Sequence, residues 1–319
     1  MTALPALILT AGLGTRLRPL SYVRAKGAVP VNGEPLALRV SRWLGAQGFS
    51  DQVFNLHHHP ATIAAALGDG TAHGVRIRYS WEQPILGSAG GPRHALPLLV
   101  DGGGERFLIV NGDTLTDVDL AALIRRHEES RALITMALVP NPAPEKYGGV
   151  LVTPDGFVAG FTKAGAAVDT YHFVGVQVTE ARVFAPLPDG VPHESVNALY
   201  PELMRQTPRA IAAFVGPAAF RDIGTPADYL ATCLDLAREE GDRLRSPRAR
   251  IAASAVLERT AVWDDVIVAS GAHLSDCVVA DGAHIGEGLA YTRCAIIPAG
   301  SRRPDREERI EHGLLVRPL

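Results

Sequence analysis

Lysine is almost missing from this chain of 319 residues. Of its 31 basic residues only Lys26, Lys146 and Lys163 are lysine, and the other 28 are arginine. A GC-biased genome would replace lysine by arginine wherever either serves. Under such a bias the survivors are enriched at sites that need a compact ammonium rather than a planar fork. Cysteine is scarce too. Cys233, Cys277 and Cys294 show no C-x-x-C spacing, which argues against a disulfide framework or a zinc site and fits a reducing, cytoplasmic setting. There is no basic surplus: the net charge is −3, so nucleic acid is not an expected partner. No apolar run reaches the ~18 residues of a membrane span, so no membrane partner is expected. The opening MTALPALILTAG lacks a basic n-region and runs directly into glycines, so it reads as a strand and not as a signal peptide.

What is present is globular: 47% hydrophobic and 20% charged residues, with ample material for a core. The first half alternates short apolar runs with amphipathic stretches. Strands are expected over 6–10, 52–56, 75–80 and 107–110, and helices over 35–47, 61–67, 91–99 and 120–130, the last capped by Asp117 or Asp119. Strand–helix alternation implies an α/β fold with a mostly parallel sheet and helices on both faces. Residues 132–183 read as strands and long loops added to that sheet. A helix with Pro226 at its start is expected over 226–244, burying Tyr229, Leu230, Cys233, Leu236 and Ala237.

Beyond Pro247 the pattern changes. Val256, Val262, Val268, Leu274 and Ala280 recur every six residues. The phase slips by one, and Ile285, Tyr291 and Ile297 resume it. Gly271, Gly282, Gly288 and Gly300 fall in the turns. This is the pattern of a left-handed parallel β-helix, with about two and a half coils of ~18 residues each. The expected division is a first domain over 1–245, the β-helix over 250–300, and a charged tail over 301–319 that forms a solvated cap or a frayed end.

The most informative segment is Leu9-Thr10-Ala11-Gly12-Leu13-Gly14-Thr15-Arg16-Leu17, with Lys26 ten residues beyond Arg16. Glycines after a strand let backbone N–H groups approach phosphate oxygens. Arg16 offers a bidentate fork and Lys26 a point charge. A dinucleotide fingerprint would need glycine where Leu17 stands, and no G-K-[ST] exists for a P-loop. The loop therefore addresses phosphate in a third way.

The run AGLGTRLRPLSYVRAKGAVPVNGEPL resembles the signature of the sugar-1-phosphate nucleotidyltransferases. Three further segments resemble that family's motifs in order: Leu86-Gly87-Ser88-Ala89-Gly90-Gly91 its base-binding turn, Asn111-Gly112-Asp113 its strand-end metal site, and Arg221-Asp222-Ile223-Gly224-Thr225-Pro226 its D-[VI]-G-T-P motif. The resemblance spans roughly 4–235. It implies a Rossmann-like, mostly parallel sheet of the nucleotide-diphospho-sugar transferase type. It also implies an enzyme that condenses an NTP with a sugar-1-phosphate to an NDP-sugar and pyrophosphate, with Mg²⁺ as cofactor. Arg16 and Lys26 would then hold the β- and γ-phosphates, and Lys163 the sugar phosphate. Asp113 and Asp222 would be the metal carboxylates, since Mg²⁺ takes one or two carboxylates plus phosphates and water. Ala11, Gly12, Gly14, Thr15, Gln83, Gly87, Ser88 and Ala89 would bind the nucleotide, and Asn111, Gly148 and Gly175 the sugar. Thr225 is the better helix cap, which releases Asp222 from that duty.

The chain departs from the family at several points. Thr162 replaces the acid before Lys163, Phe173-Val174-Gly175 stands where many members carry N-A-G, and Ala25 replaces the proline before Lys26, loosening the loop without removing charge. Features of both mannose-1-phosphate guanylyltransferases and muramic-acid-type uridylyltransferases are present, so the base is not fixed. Lys146, before the Tyr147-Gly148 turn, has no assigned role. His57-His58-His59 lacks clustered acids or thiols for a metal. The β-helix is too short for acyltransfer and is better suited to oligomer contact or to capping the first domain. The competing expectation is a catalytically silent paralogue that binds nucleotide-sugar and regulates a partner. Such proteins lose a metal aspartate or the signature arginine, and this chain keeps both.

Overall fold

The computed structural model describes residues 4–319, so the first three residues of the expected first domain lie outside it. Packing divides the chain into two compact units. One runs through Gly12 and includes Val40–Pro60 and Leu67–Arg221; the other comprises Leu13–Arg39, Ala61–Ala66 and Asp222–Leu319. The boundary expected at 245–250 falls inside the second unit.

The first unit is built on a nine-stranded sheet: β1 (Ala6–Leu9), β2 (Asp51–Leu56), β3 (Arg76–Trp81), β4 (Arg106–Asn111), β5 (Ile134–Pro140), β6 (Gly149–Val152), β7 (Val158–Thr162), β8 (Tyr171–Glu180) and β9 (Ile211–Val215). Its main order is β7-β6-β8-β4-β1-β2-β3, with β5 pairing β8 and β9. The centre β3-β2-β1-β4 is parallel throughout. Strands β1 and β4 are almost continuously apolar and buried, as strands covered on both faces must be. The segment after residue 132 extends this centre with antiparallel pairs on β8.

Helices α1 (Leu36–Ala46), α2 (Pro60–Leu67) and α4 (Leu120–Ser130) lie close to their expected ranges, while α3 (Gly87–Leu99) starts four residues earlier than expected. Its first turn is held from outside: the Ala89 and Gly90 N–H groups both donate to the His193 carbonyl. That contact overrides the poor helix propensity of Gly-Gly-Pro. Asp119 caps α4 by accepting from the Ala122 N–H, whereas Asp117 accepts from Ala219 N–H instead. A short helix α5 (Tyr200–Gln206) completes the unit. Leu7, Val53, Phe107, Ile134, Phe184 and Ile211 belong to its core.

In the second unit α6 spans Pro226–Glu240, ending four residues before the expected Leu244. The helix stops because Gly241 takes φ 94° and Asn32 then catches the chain, donating to Gly241 O and accepting from Arg243 N. Buried Tyr229, Leu230, Cys233 and Leu236 mark the inward face. Among the described residues no helix is long and apolar enough to cross a membrane.

The C-terminal strands form a short parallel β-helix, but its coil is not the expected one. Register places Ile251, Val268 and Ile285 on one wall; Leu257, Leu274 and Tyr291 on a second; and Val262, Val279 and Ile296 on a third. Equivalent residues are 17 apart, as Asp264 and Asp281 show. The sides therefore advance by six, five and six residues. Leu257 faces inward rather than Val256, which is 42% exposed. Likewise Val279 and Ile296, not Ala280 and Ile297, belong to the interior cluster. The shortened side follows a tight corner. Arg259, Asp276 and Arg293 sit there with positive φ, and the next residue in each coil (Thr260, Cys277, Cys294) donates its side-chain hydrogen to the carbonyl two residues back.

The final stretch is neither frayed nor a purely solvated cap. Strands Arg309–Glu311 and Leu314–Pro318 form a hairpin whose second strand pairs antiparallel with Cys294–Pro298. Leu314, Leu315 and Val316 are buried, and that burial outweighs the charge of the preceding RRPDREER.

The wall assignment has a direct check in urea unfolding. Leu274→Ala should cost about 2–5 kcal/mol, the range for emptying a core leucine site. Val256→Ala should stay within about 0.5 kcal/mol, as for surface positions. Equal costs would contradict the six-five-six coil.

Candidate active site

Strand β1 ends at the glycine loop, and a buried polar relay in the first unit fixes that end. Asn55, near the end of β2, accepts from the Thr10 N–H (2.6 Å) and the Ala11 N–H (3.2 Å) through Oδ1. Its Nδ2 donates to Glu82 Oε1 (2.7 Å), and Glu82 Oε2 accepts from the Leu86 N–H (2.8 Å) at the start of α3. Both side chains are almost fully buried. Buried polar groups of this kind are tolerated only when paired, and each pairing here ties together two chain segments. Neither Asn55 nor Glu82 belongs to any of the motifs in the sequence. The available signal was a polar residue inside the otherwise apolar strand FNL and an acid directly after β3.

Of the expected nucleotide-binding residues, Gly12 and Gln83 are solvent-exposed and Ala11 is buried, with its N–H engaged by Asn55. Gly87, Ser88 and Ala89 form the first turn of α3. There Ser88 Oγ donates to Glu194 Oε2 (2.8 Å) and accepts from both Ser195 N–H and Ser195 Oγ (2.9 Å each). The segment His193–Ser195 therefore satisfies much of this helix end, a feature the sequence did not reveal.

Asp113 follows β4 and is half-buried, with Thr114 Oγ1 at 3.4 Å from its Oδ1. The preceding Gly112 N–H donates to Leu9 O (3.0 Å), which places this turn beside the end of β1. Asn111 meets Gly175 closely: a Cβ on Gly175 would lie 2.7 Å from Asn111 Nδ2, and its φ of +80° is one that L side chains rarely adopt. Only glycine fits there. Gly148 packs against Thr162 O at the end of β7, one residue before the exposed Lys163. Lys146 lies with its ammonium 5.1 Å from the Tyr147 ring centroid, a cation–π arrangement.

Tyr147, His172 and Phe220 form an aromatic trio, with the His172 ring centroid 4.5 Å from Tyr147 and 4.4 Å from Phe220. Burial holds the His172 imidazole down at about 4, against a weaker opposing hydrogen bond with the Gly148 backbone. His57 Nδ1 lies 2.9 Å from Glu82 O, and the His58 and His59 rings pack 4.2 Å apart.

In the second unit, Gly14 takes a left-handed conformation (φ 61°) and opens the 3-10 turn Thr15–Leu17 that carries Arg16. Its carbonyl accepts from the Leu17 N–H and from Ser21 Oγ, and the Lys26 side chain packs beside it. Ala25 has φ −54° and donates its N–H to Thr62 Oγ1 (3.1 Å). The φ would suit proline, but proline could not make that bond. The expected loosening is thus offset by a tether to α2.

Arg16 Nη1 lies 3.9 Å from Asp222 Oδ2. Gly224 faces both, and a Cβ there would stand 2.8 Å from Asp222 Oδ2 and 3.1 Å from Arg16 Nη1. Thr225 caps α6 in a capping box with Asp228, so Asp222 is not the cap. The Arg16 side chain is 62% exposed while Asp222 is 10% exposed. Ion pairs with such an exposed partner contribute about 0–1 kcal/mol, so redirecting this guanidinium to a polyanion costs little.

Comparison with known proteins shows the family to which the chain belongs. Residues 5–239 match the family described as nucleotidyl transferase. The mannose-1-phosphate guanylyltransferase of Mycobacterium tuberculosis is 30% identical over 234 residues, covering 73% of this chain and 64% of its own length, so less than two thirds of that relative is aligned. The N-acetylmuramate alpha-1-phosphate uridylyltransferase of Neisseria meningitidis is 38% identical over 207 residues, covering 63% of this chain and 85% of its own length. The crystal structure of HddC from Yersinia pseudotuberculosis matches with a TM-score of 0.64 at 23% identity, over 73% of this chain and 99% of that one, a likeness of fold.

The aromatic trio gives a pH signature. An unfolded imidazole takes up its proton below about 6.5, whereas the buried His172 stays neutral until about 4. Between those values the unfolded state binds more protons, so stability falls as pH is lowered through the window. His172→Phe should therefore lose less melting temperature than the wild type between pH 7 and pH 5. An identical loss in both proteins would show that His172 does not titrate this way.

Proposed function

Because the chain belongs to the nucleotidyl transferase family, we propose that it couples an NTP to a sugar-1-phosphate and releases pyrophosphate. The observation that carries this reading is the meeting of Arg16, from the glycine signature, with Asp222 of the D-I-G-T-P motif at 3.9 Å. Two motifs far apart in sequence converge on one charge pair, and the turn that carries Arg16 opens at Gly14, beside which the Lys26 side chain packs.

In the proposed reaction a phosphate oxygen of the sugar-1-phosphate attacks the α-phosphorus of the NTP. The new P–O bond forms as the bond to the β-phosphate bridging oxygen breaks, and that oxygen leaves with pyrophosphate. No proton transfer is required, so positioning and charge neutralisation dominate. Arg16 and Lys26 hold the β- and γ-phosphates and stabilise the charge that grows on the leaving group. Lys163 orients the attacking phosphate. Gly12, Gly14 and Thr15, with Ala11, Gln83 and Gly87–Ala89, form the nucleotide's surroundings, and Asn111, Gly148 and Gly175 those of the sugar.

The donors Asp113 and Asp222 fit Mg²⁺ by their chemistry: both are hard carboxylates, one half-buried and the other 10% exposed, and Mg²⁺ completes its shell with phosphate and water. When bound, the ion supplies positive charge against the triphosphate. The substrate pair is of the GTP with mannose-1-phosphate type or the UTP with amino-sugar-1-phosphate type.

Pyrophosphate release over a panel of NTPs and sugar-1-phosphates tests the reading, and no release with any pair would overturn it. Thermal shifts with UTP, GTP, CTP, dTTP and ATP identify the base, since a ligand of the native state raises its stability. Shifts without turnover would instead favour a regulatory nucleotide-sugar binder. Asp113→Asn and Asp222→Asn should each lower the rate about 10²–10³-fold, the scale of one preorganised electrostatic group. Lys26→Arg and Lys163→Arg should also cost activity despite conserving charge, because a fork does not replace a compact ammonium; full activity in both would make the lysine scarcity compositional.

A further inference from the structure

The loop that carries Arg16 and Lys26 has little regular structure of its own. Between Leu13 and Ala28 it consists of three 3-10 turns of three residues each. Such turns do not hold themselves rigid, yet the proposed chemistry needs their cations in fixed places.

The β-helix supplies the missing support, within the same compact unit. Arg24 Nε donates to Asp281 Oδ2 (2.6 Å), and Arg24 Nη2 donates to Asp281 Oδ1 (2.8 Å) and Asp264 Oδ2 (2.7 Å). Asp264 and Asp281 occupy the same place in successive coils, and Asp281 Oδ1 also accepts the Asp264 N–H (3.0 Å). The Arg24 side chain is 18% exposed and stands 5.6 Å from the Trp263 ring centroid. A planar fork shared by two carboxylates in a partly buried site is the strong form of ion pair.

Two further arginines grip the loop backbone. Arg302 Nη2 donates to Tyr22 O, and Arg317 Nη1, on the C-terminal hairpin, donates to Arg18 O, both at 3.2 Å. The guanidinium groups of Arg18 and Arg302 both lie near the Tyr22 ring, at 5.1 and 5.7 Å. The loop is thus held at residues 18, 22 and 24, between the two cations it presents.

We propose that Arg24, Asp264, Asp281, Arg302 and Arg317 are positioning residues for the nucleotide-binding cations, and that this grip is the function of the β-helix and its terminal hairpin. The proposal rests on the phosphate-binding reading of Arg16 and Lys26. It gives the repeat module a task within a single chain, with no need of a second copy or a second chemistry.

The test uses the full chain with Asp281→Asn, Arg317→Ala and Arg24→Lys. Steady-state pyrophosphate release gives KM separately for the NTP and for the sugar-1-phosphate, and hydrogen exchange reports the loop amides directly. Asp281→Asn should raise KM for the NTP about tenfold, a modest version of the loss that misplacement causes, and leave KM for the sugar-1-phosphate within about twofold. Exchange should quicken over residues 18–28 and stay unchanged over α3. Arg317→Ala should act the same way but more weakly, and Arg24→Lys should keep part of the NTP affinity that Asp281→Asn loses, because it retains charge without the fork.

An unchanged NTP KM with unchanged loop exchange in Asp281→Asn would overturn the proposal. So would an equal rise in both KM values, which is what a general distortion of the site produces; loss of folded protein alone lowers the rate and leaves both KM values unchanged. If Asp281→Asn does not fold, Arg317→Ala decides by the same two readouts. A wild type that releases no pyrophosphate with any pair sinks the catalytic reading, whereas the exchange comparison still decides whether the β-helix holds the loop.

Discussion

A single guanidinium shared by two aspartates one coil apart ties together the parts of the second unit. Arg24 lies 240 and 257 positions from Asp264 and Asp281, so this contact joins an early loop to the last module of the chain. Its geometry depends on the coil: only a constant repeat puts the two carboxylates side by side, and only a fork can use both. Disturbing the repeat would separate the carboxylates, and the loop would lose its strongest tether. The chemistry proposed for Arg16 and Lys26 is therefore downstream of hydrophobic packing inside a β-helix.

The first unit solves a similar problem by other means. Its sheet centre is apolar and buried, and three chain segments must end there at defined places. Asn55 and Glu82 link the ends of β1 and β2 to the start of α3 through paired hydrogen bonds in a buried setting. An unpaired amide or carboxylate at that depth costs a few kcal/mol or more, so the relay favours one arrangement of all three segments together. Tyr229, Trp263 and the Pro30 carbonyl form a comparable chain in the second unit, where Trp263 Nε1 donates to Tyr229 OH, which in turn donates to Pro30 O.

The parts of this architecture that are legible in the sequence are those where residue type forms a distinctive pattern. The glycine loop, Asn111-Gly112-Asp113 and the aspartate before Gly224-Thr225-Pro226 can be found because each is a short run that resembles a motif of the family, in the family's order. The alternation of β1, β2, β3 and β4 with helices is legible because continuous apolar runs and helical spacing differ in period. The coil length is not. Runs such as Val278-Val279-Ala280 and Ala295-Ile296-Ile297 offer an apolar residue at every phase, so a five-residue side passes for a six-residue one. The early start of α3 is hidden by Gly90, Gly91 and Pro92, whose local preference loses to a capping carbonyl from a distant segment. Arg24 is one arginine among 28, and no local pattern marks the partners it meets.

The coil has a consequence for how such a module could be inherited. Because wall, corner and carboxylate positions all recur at 17 residues, the β-helix can lengthen by duplication only in whole multiples of that number. An insertion of 18 would rotate every later side chain one place around the coil, turning walls into corners. The terminal hairpin would meet a face that no longer matches Leu314 and Val316. Growth by tandem copying is thus quantised by one short corner, the same corner that keeps Thr260, Cys277 and Cys294 stacked and their side-chain hydrogens engaged.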